Sequence, residues 1–405
     1  MTPEQAPDVA IRQNRWLILA LLFACRTGLG LQFQALGSVS GSLTAQFGFS
    51  HTEIGTLIGL FMLPGLLLAL PAGYLGRYLP DRTLVALAFL SLGAGGAMAS
   101  AAQGFGLLAW GRIAAGVGFV FSTIYLTKMT ADWFSGKELA TAMGVLVMSW
   151  PFGIAMGQIG QVWIDAQFGW RAAFAVSAGY CALGAVAVFV LYRSPAIVRP
   201  MPVGRATLPG PELVLTLLAA MVWGLFNAGY IVYLSFATQV LVAGGYGPTQ
   251  AAAVISIASW VMILSGALCG QIADRTGRRE LIMVVCTTVA VASLLLLTQT
   301  SMAIVLSLLF GLIGMAPAGV IMALTAEAMA PQRRAFGMGV FFTLYFVVVA
   351  LAAPAAGWLF DRSADPYVPI VFAAALFAGG AFVYRMFNVV KARVRRALAP
   401  PAAAA

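Results

Sequence analysis

Gly270-Gln-Ile-Ala-Asp274-Arg275-Thr-Gly277-Arg278-Arg279 lies between two long apolar runs, and its reading decides the fold. Gly270 lets two helices approach closely, and Gly277 permits a tight turn. Asp274 is placed to sit against a helix N-terminus, whose dipole favours an anion. Arg275, Arg278 and Arg279 hold the loop on one side of a membrane. A weaker copy stands 197 residues earlier, at Gly73-Tyr-Leu-Gly-Arg77-Tyr-Leu-Pro-Asp81-Arg82, with Arg77 where the acid would be. The chain reads as two unequal copies of one design.

Composition sets the medium. The 405 residues are 61% hydrophobic and 9% charged, and the mean hydropathy is +0.94. Apolar runs of about 20 residues, the length a bilayer demands, recur from Trp16 to Asn388. The expectation is an all-α membrane protein with twelve spans, at 16–39, 53–75, 84–104, 107–128, 139–164, 170–192, 213–237, 250–272, 280–299, 302–325, 336–360 and 367–388. The first run continues past a full span with no small-residue cleavage pattern after it, which reads as a span rather than a leader. Six-helix bundles at 16–192 and 213–388 are joined by a linker at 193–212, where five prolines alternate with Arg193, Arg199 and Arg205. Tails at 1–15 and 389–405 complete the chain.

The charge balance of +10 follows from topology. Nineteen of the 23 Lys and Arg fall on the side of the two termini, Arg171 and Arg362 fall on the other, and Arg26 and Arg112 lie in the membrane. The positive-inside rule then puts both termini in the cytoplasm, as in a multi-pass protein of a bacterial-type inner membrane. Basic residues spread over membrane flanks give no nucleic-acid surface. Cys25, Cys181, Cys269 and Cys286 sit in or at the ends of apolar runs, with no metal-ligand spacing and no disulfide framework. One histidine, His51, and no nucleophile constellation argue against an enzyme, and nothing calls for a cofactor. Ser50 and Glu53 form a capping box that makes His51 an exposed cap residue rather than a proton relay.

The two halves match beyond the loops. Gly144 to Trp150 aligns with Gly339 to Tyr345 at an offset of 195, and Trp110-Gly111 aligns with Phe310-Gly311 at 200. The loop signature, Trp110-Gly111-Arg112 with Gly116 and Gly118, and the stretch Phe168-Gly-Trp170-Arg171-Ala-Ala-Phe174 resemble motifs of the major facilitator superfamily. Arg26, the run from Gly55 to Gly65, Lys128-Met129 through Asp132-Trp133-Phe134, and Ser149-Trp150-Pro151 are similar to the cyanate and nitroimidazole permease group within it. The resemblance implies two facing bundles, a substrate cavity near mid-membrane, and rocking between two open states.

A charge in mid-bilayer is costly and marks function. All 13 acidic residues fall in loops, tails or span ends. Arg26 is the exception of opposite sign, ten residues past Trp16, or about 15 Å into its helix. A planar guanidinium matches carboxylates and other oxyanions, which points to a small anionic solute; the alternative is a structural pairing with backbone carbonyls or a helix C-terminus. Phe33 shares the face of Arg26, Trp150 and Tyr345 occupy matching repeat positions, and Asn227, Tyr230 and Trp260 offer polar or aromatic lining in the second half. Arg112 is read evenly as packing or coupling. Lys128 pairs with Asp132 one turn on, and both join the loop residues Gly270, Asp274, Arg275, Gly277 and Arg278 as candidates for conformational coupling. The leading expectation is a monomeric secondary transporter for a small organic or inorganic anion. An exporter of drugs or metabolites is the alternative, and a sensor is less favoured for want of an added soluble domain.

Overall fold

The computed structural model describes residues 14–75, 78–134, 138–195, 207–297, 302–330 and 333–398. Expectations for Arg12, Arg77, Lys137, Arg199 and Arg205 lie outside the described residues. The first half contains α1 (Arg15–Ser38), α2 (Ser40–Phe47), α3 (His51–Leu75), α4 (Asp81–Ser100), α5 (Phe105–Trp133), α6 (Leu139–Phe168) and α7 (Trp170–Leu191). The second contains α8 (Gly210–Ala243), α9 (Pro248–Thr276), α10 (Arg279–Leu296), α11 (Ala303–Leu309), α12 (Ala318–Ala328), α13 (Arg334–Ser363) and α14 (Val368–Leu398). A π turn at Phe310–Gly314 links α11 to α12. Counting that stretch as one, twelve helices among the described residues are long and apolar enough to cross a bilayer. Twelve crossings put the start of α1 and the end of α14 on one face, here the terminus face; the other is the far face.

The helices overrun the apolar runs wherever nothing breaks them. The linker expected to reach residue 212 ends earlier, because Pro209 caps α8 and Pro211 fits its first turn, where a missing N–H costs nothing. The tail expected from residue 389 begins inside α14, which meets no glycine or proline after Gly380 until Pro400. The break in the tenth span was not expected. Met315 N donates five residues back to Phe310 O at 2.8 Å, and Pro317 just beyond has no N–H to offer. Other local features match the sequence. Ser50 N donates to Glu53 Oε2 at 2.9 Å and Glu53 N to Ser50 Oγ at 3.1 Å, closing the capping box. Gly277 ends α9 with φ +68, in the left-handed region glycine favours. The four cysteines are free and buried.

The halves meet along two seams. In one, α3 runs against α13, and a Cβ on Gly55 or Gly59 would collide with the carbonyls of Ala353 or Ala350. Gly357 likewise abuts the His51 carbonyl. In the other, Ser259 on α9 donates to Gln158 on α6 at 3.3 Å. His51 stands at the start of α3, as expected of a cap-region residue, and does more. It bonds across the first seam to Asp361, at the far-face end of α13. Backbone contact without intervening side chains makes the far side of this molecule shut.

Candidate functional site

Arg26 and Arg112 are both buried in the first half, and the structure treats them differently. Arg112 is 1% exposed. Its Nε donates to Leu57 O at 3.1 Å, Nη1 to Gln32 O at 2.9 Å and Nη2 to Phe33 O at 3.3 Å. Its guanidinium also lies 4.5 Å from the Phe61 ring centroid. This arginine is a clamp that ties α5 to α1 and α3.

Arg26 is 9% exposed. Its Nη1 donates to Leu146 O at 2.7 Å, in the turn of α6 before Pro151. Its Nε is buried with no partner, and no carboxylate among the described residues lies within ion-pairing distance of it. Close helix packing puts it there: a Cβ on Gly30 would press on Trp150 O and one on Gly153 on Thr27 O, so α1 and α6 touch backbone to backbone. A buried guanidinium with a spare donor and no counter-charge carries a desolvation cost that an incoming anion would offset.

Aromatic rings surround the middle of the molecule. Phe33 lies 5.4 Å from Trp150 and 5.6 Å from Phe61, centroid to centroid. Trp150 lies 5.1 Å from Phe119, which reaches Phe346 of the other half at 6.5 Å. Phe346 adjoins Tyr345 at 5.0 Å, and Tyr345 adjoins Trp223 at 6.4 Å. Phe33 and Trp150 thus stand together on α1 and α6, Trp150 one turn after the carbonyl that holds Arg26, and Tyr345 stands with Trp223 on the second half's side of the same ring chain. Asn227 is one turn from Trp223 and donates to its carbonyl at 2.8 Å.

Tyr230 and Trp260 make none of these ring contacts. The Tyr230 hydroxyl is buried against Ser259 at 2.8 Å, in the polar link to Gln158. Trp260 is 38% exposed and packs on Phe152, whose other ring partner is Phe23. Three participants escaped the sequence reading. Trp223 was recoverable by applying the offset of 197 to Arg26. Gln158, 1% exposed with an unpartnered Nε2, and Asp361 carried no local signal.

The terminus face is held by ion pairs within each half. Lys128 pairs with Asp132 at 3.1 Å, as the i,i+4 spacing predicts, and also with Asp81 on α4. Arg279 contacts Asp274 at 3.6 Å and Glu327 at 2.7 Å, and Lys391 joins Glu327. Asp274 is 77% exposed, and Arg275 and Arg278 are exposed too. Gly270 corrects the expectation of close helix approach: a Cβ there would meet nothing within 4 Å. Arg15 pairs with Glu138 at 2.7 Å, and the repeat-related positions hold the same pair reversed, Glu212 with Arg333. Glu212 raises the Arg333 guanidinium further above its already high range through their hydrogen bonds.

Known proteins agree with this architecture. The chain resembles the bacterial homologue of the human lysosomal transporter Spinster, in its inward-facing and unoccupied conformation, with a TM-score of 0.74 at 16% identity over 94% of this chain and 98% of that one. It resembles the inward-open xylose transporter XylE from E. coli with a TM-score of 0.76 at 13% identity, over 92% and 96%. The nucleoside transporter NupG gives 0.73 at 14%, over 93% and 100%. Such identities speak for the fold alone. No curated protein matches the sequence. The family model described as Major Facilitator Superfamily matches residues 22–345 and 213–403. With twelve spans in two facing halves and that match over most of its length, the chain belongs to the Major Facilitator Superfamily and is a multi-pass membrane transporter rather than an enzyme.

Proposed function

We propose that the protein is a secondary transporter for a small organic or inorganic anion, moved by alternating access between the two halves. The observation that carries this reading is Arg26. It is the buried cation whose donors are incompletely used, whereas Arg112 has a carbonyl for each of its nitrogens. An anion docking on Arg26 supplies the missing acceptor and the counter-charge together. Trp150 lies one turn after the carbonyl that holds Arg26, and Tyr345 takes the repeat-related position in the other half, so we read the site as formed by one chain with a monomer as the working unit. The closed far face supports access from the terminus face, and the distribution of arginines supports reading that face as cytoplasmic in a bacterial-type inner membrane.

Uptake into proteoliposomes of radiolabelled acetate, benzoate, oxalate, nitrate and cyanate tests the reading. Saturable uptake of at least one anion, competed by others and absent from empty liposomes, is the expected result. Uptake confined to neutral sugars or nucleosides, with no anion competing, would refute it. Cysteine labelling at Thr276 from inside and at Ala364 from outside tests the orientation.

A further inference from the structure

Resting on the reading of Arg26 as the anion contact, the pseudo-symmetry of the site narrows the substrate class. An offset of 197 carries Arg26 to Trp223, and an offset of 195 carries Trp150 to Tyr345. The equivalent corners of the two walls therefore hold a guanidinium with an indole on one side and an indole with a phenol on the other. One half supplies charge and the other supplies ring faces.

Burial divides the rings into two groups. Phe33, Phe61, Phe119 and Phe346 are packed away, at 3%, 0%, 7% and 6% exposure. Trp150, Trp223 and Tyr345 keep part of their surface free. The contacts Trp150–Phe119, Phe119–Phe346 and Phe346–Tyr345 form an arch across the seam, with the partly free rings at its feet. Aromatic faces left free beside an apolar arch favour a flat apolar body, which gains both area burial and ring–ring contact there.

Spacing links the ring region to the charge. The guanidinium is fixed on Leu146 O, and Trp150 follows one turn later on the same helix, a rise of about 6 Å. A carboxylate on Arg26 thus places a ring attached directly, or through one carbon, level with Trp150. Nitrate or cyanate would leave the rings unfilled. A dicarboxylate would bring a second charge to apolar faces, while the other buried cation, Arg112, is already bonded to three carbonyls.

We propose that the site takes a monocarboxylate carried on a flat ring, an aryl carboxylate of the size of benzoate or phenylacetate. The test is titration calorimetry on the purified full-length protein with benzoate, cyclohexanecarboxylate, acetate, nitrate, terephthalate and benzamide. Benzoate is expected to bind about tenfold or more tighter than acetate or nitrate, the gain that two ring–ring contacts confer. It should also exceed terephthalate and benzamide. Trp223→Leu and Tyr345→Leu should each weaken benzoate several-fold, and by a larger factor than acetate; should either fail to fold, the wild-type series still decides.

Equal affinity for acetate or nitrate and benzoate would overturn the ring assignment and leave the anion reading standing. Cyclohexanecarboxylate binding as tightly as benzoate would also overturn it, since area alone would then suffice. Benzamide binding as well as benzoate would remove the anion reading, and this proposal with it. Binding of none of these anions would have the same consequence.

Discussion

Asp361, near the end of α13 in one half, holds the start of α3 in the other through His51. Its Oδ1 accepts from the His51 backbone N–H at 2.9 Å and lies 2.9 Å from His51 Nδ1, while Oδ2 accepts from the backbone and hydroxyl of Thr52. The His51 ring stacks on Phe360 at 3.7 Å. One carboxylate thus caps a helix N-terminus across the seam and latches the far face. Both side chains keep over a quarter of their surface exposed, which lowers the worth of the contact.

Asp361→Asn removes the charge and should loosen the latch, shifting the balance between shut and open far face by about tenfold, the lower end expected for charged hydrogen bonds. Labelling of a cysteine placed at Ala353, which is fully buried in the seam, reports this in a background without the four native cysteines. Faster labelling in the variant is the expected outcome. An unchanged rate would show that the glycine contacts alone keep the face closed.

Arg112 is predicted to matter for stability first. Arg112→Met strands three helix carbonyls of contacts and should cost about 3 kcal/mol or more, read as a lower Tm and poor yield. Arg112→Lys has one ammonium for three separated acceptors and should recover only part. Normal Tm in Arg112→Met would contradict the clamp and return this residue to the candidates for coupling.

The reversed ion pairs predict a charge-swap rescue. Glu212→Arg faces Arg333 with a like charge and should lower the Tm, and adding Arg333→Glu should restore most of it. The same exchange at Arg15 and Glu138 should move the Tm less. That pair is 47% and 41% exposed, against 20% and 24% for Glu212 and Arg333. Equal effects at both pairs would argue that the contacts are not what stabilises the terminus face.

Asp274→Asn should slow transport while leaving substrate affinity intact. Asp274 is largely exposed on the terminus face, where it contacts Arg279 at 3.6 Å, and none of the rings of the arch belongs to α9. Stopped-flow uptake and calorimetry on the same preparation separate rate from binding. A parallel loss of affinity would tie the loop to the site itself.

What the sequence reveals here is local. The Ser50–Glu53 box, the Lys128–Asp132 pair and the left-handed Gly277 each depend on residues three or four apart, or on a single backbone angle. Twelve spans follow from apolar length, and the family from motifs spread along the chain. Missing from that view are relations that exist only after packing. The carbonyls that hold Arg112 come from positions 55, 79 and 80 residues away, and Asp361 meets His51 across 310. Gly270 shows the limit in the other direction. Its motif suggests a packing role, yet whether a neighbour packs on it is decided by tertiary structure.

The central claim, that Arg26 receives the substrate's charge, is tested most directly by measuring anion affinity and Tm together in Arg26→Ala and Arg26→Lys. One charge-assisted contact is worth about 1.5–3 kcal/mol, or roughly 10- to 150-fold in affinity. Arg26→Ala should therefore lose measurable binding of the best transported anion with little change in Tm, since Nη1 gives up a single carbonyl bond. Arg26→Lys should retain weak binding through charge without the planar fork. Folded Arg26→Ala that binds the anion with wild-type affinity would contradict the account.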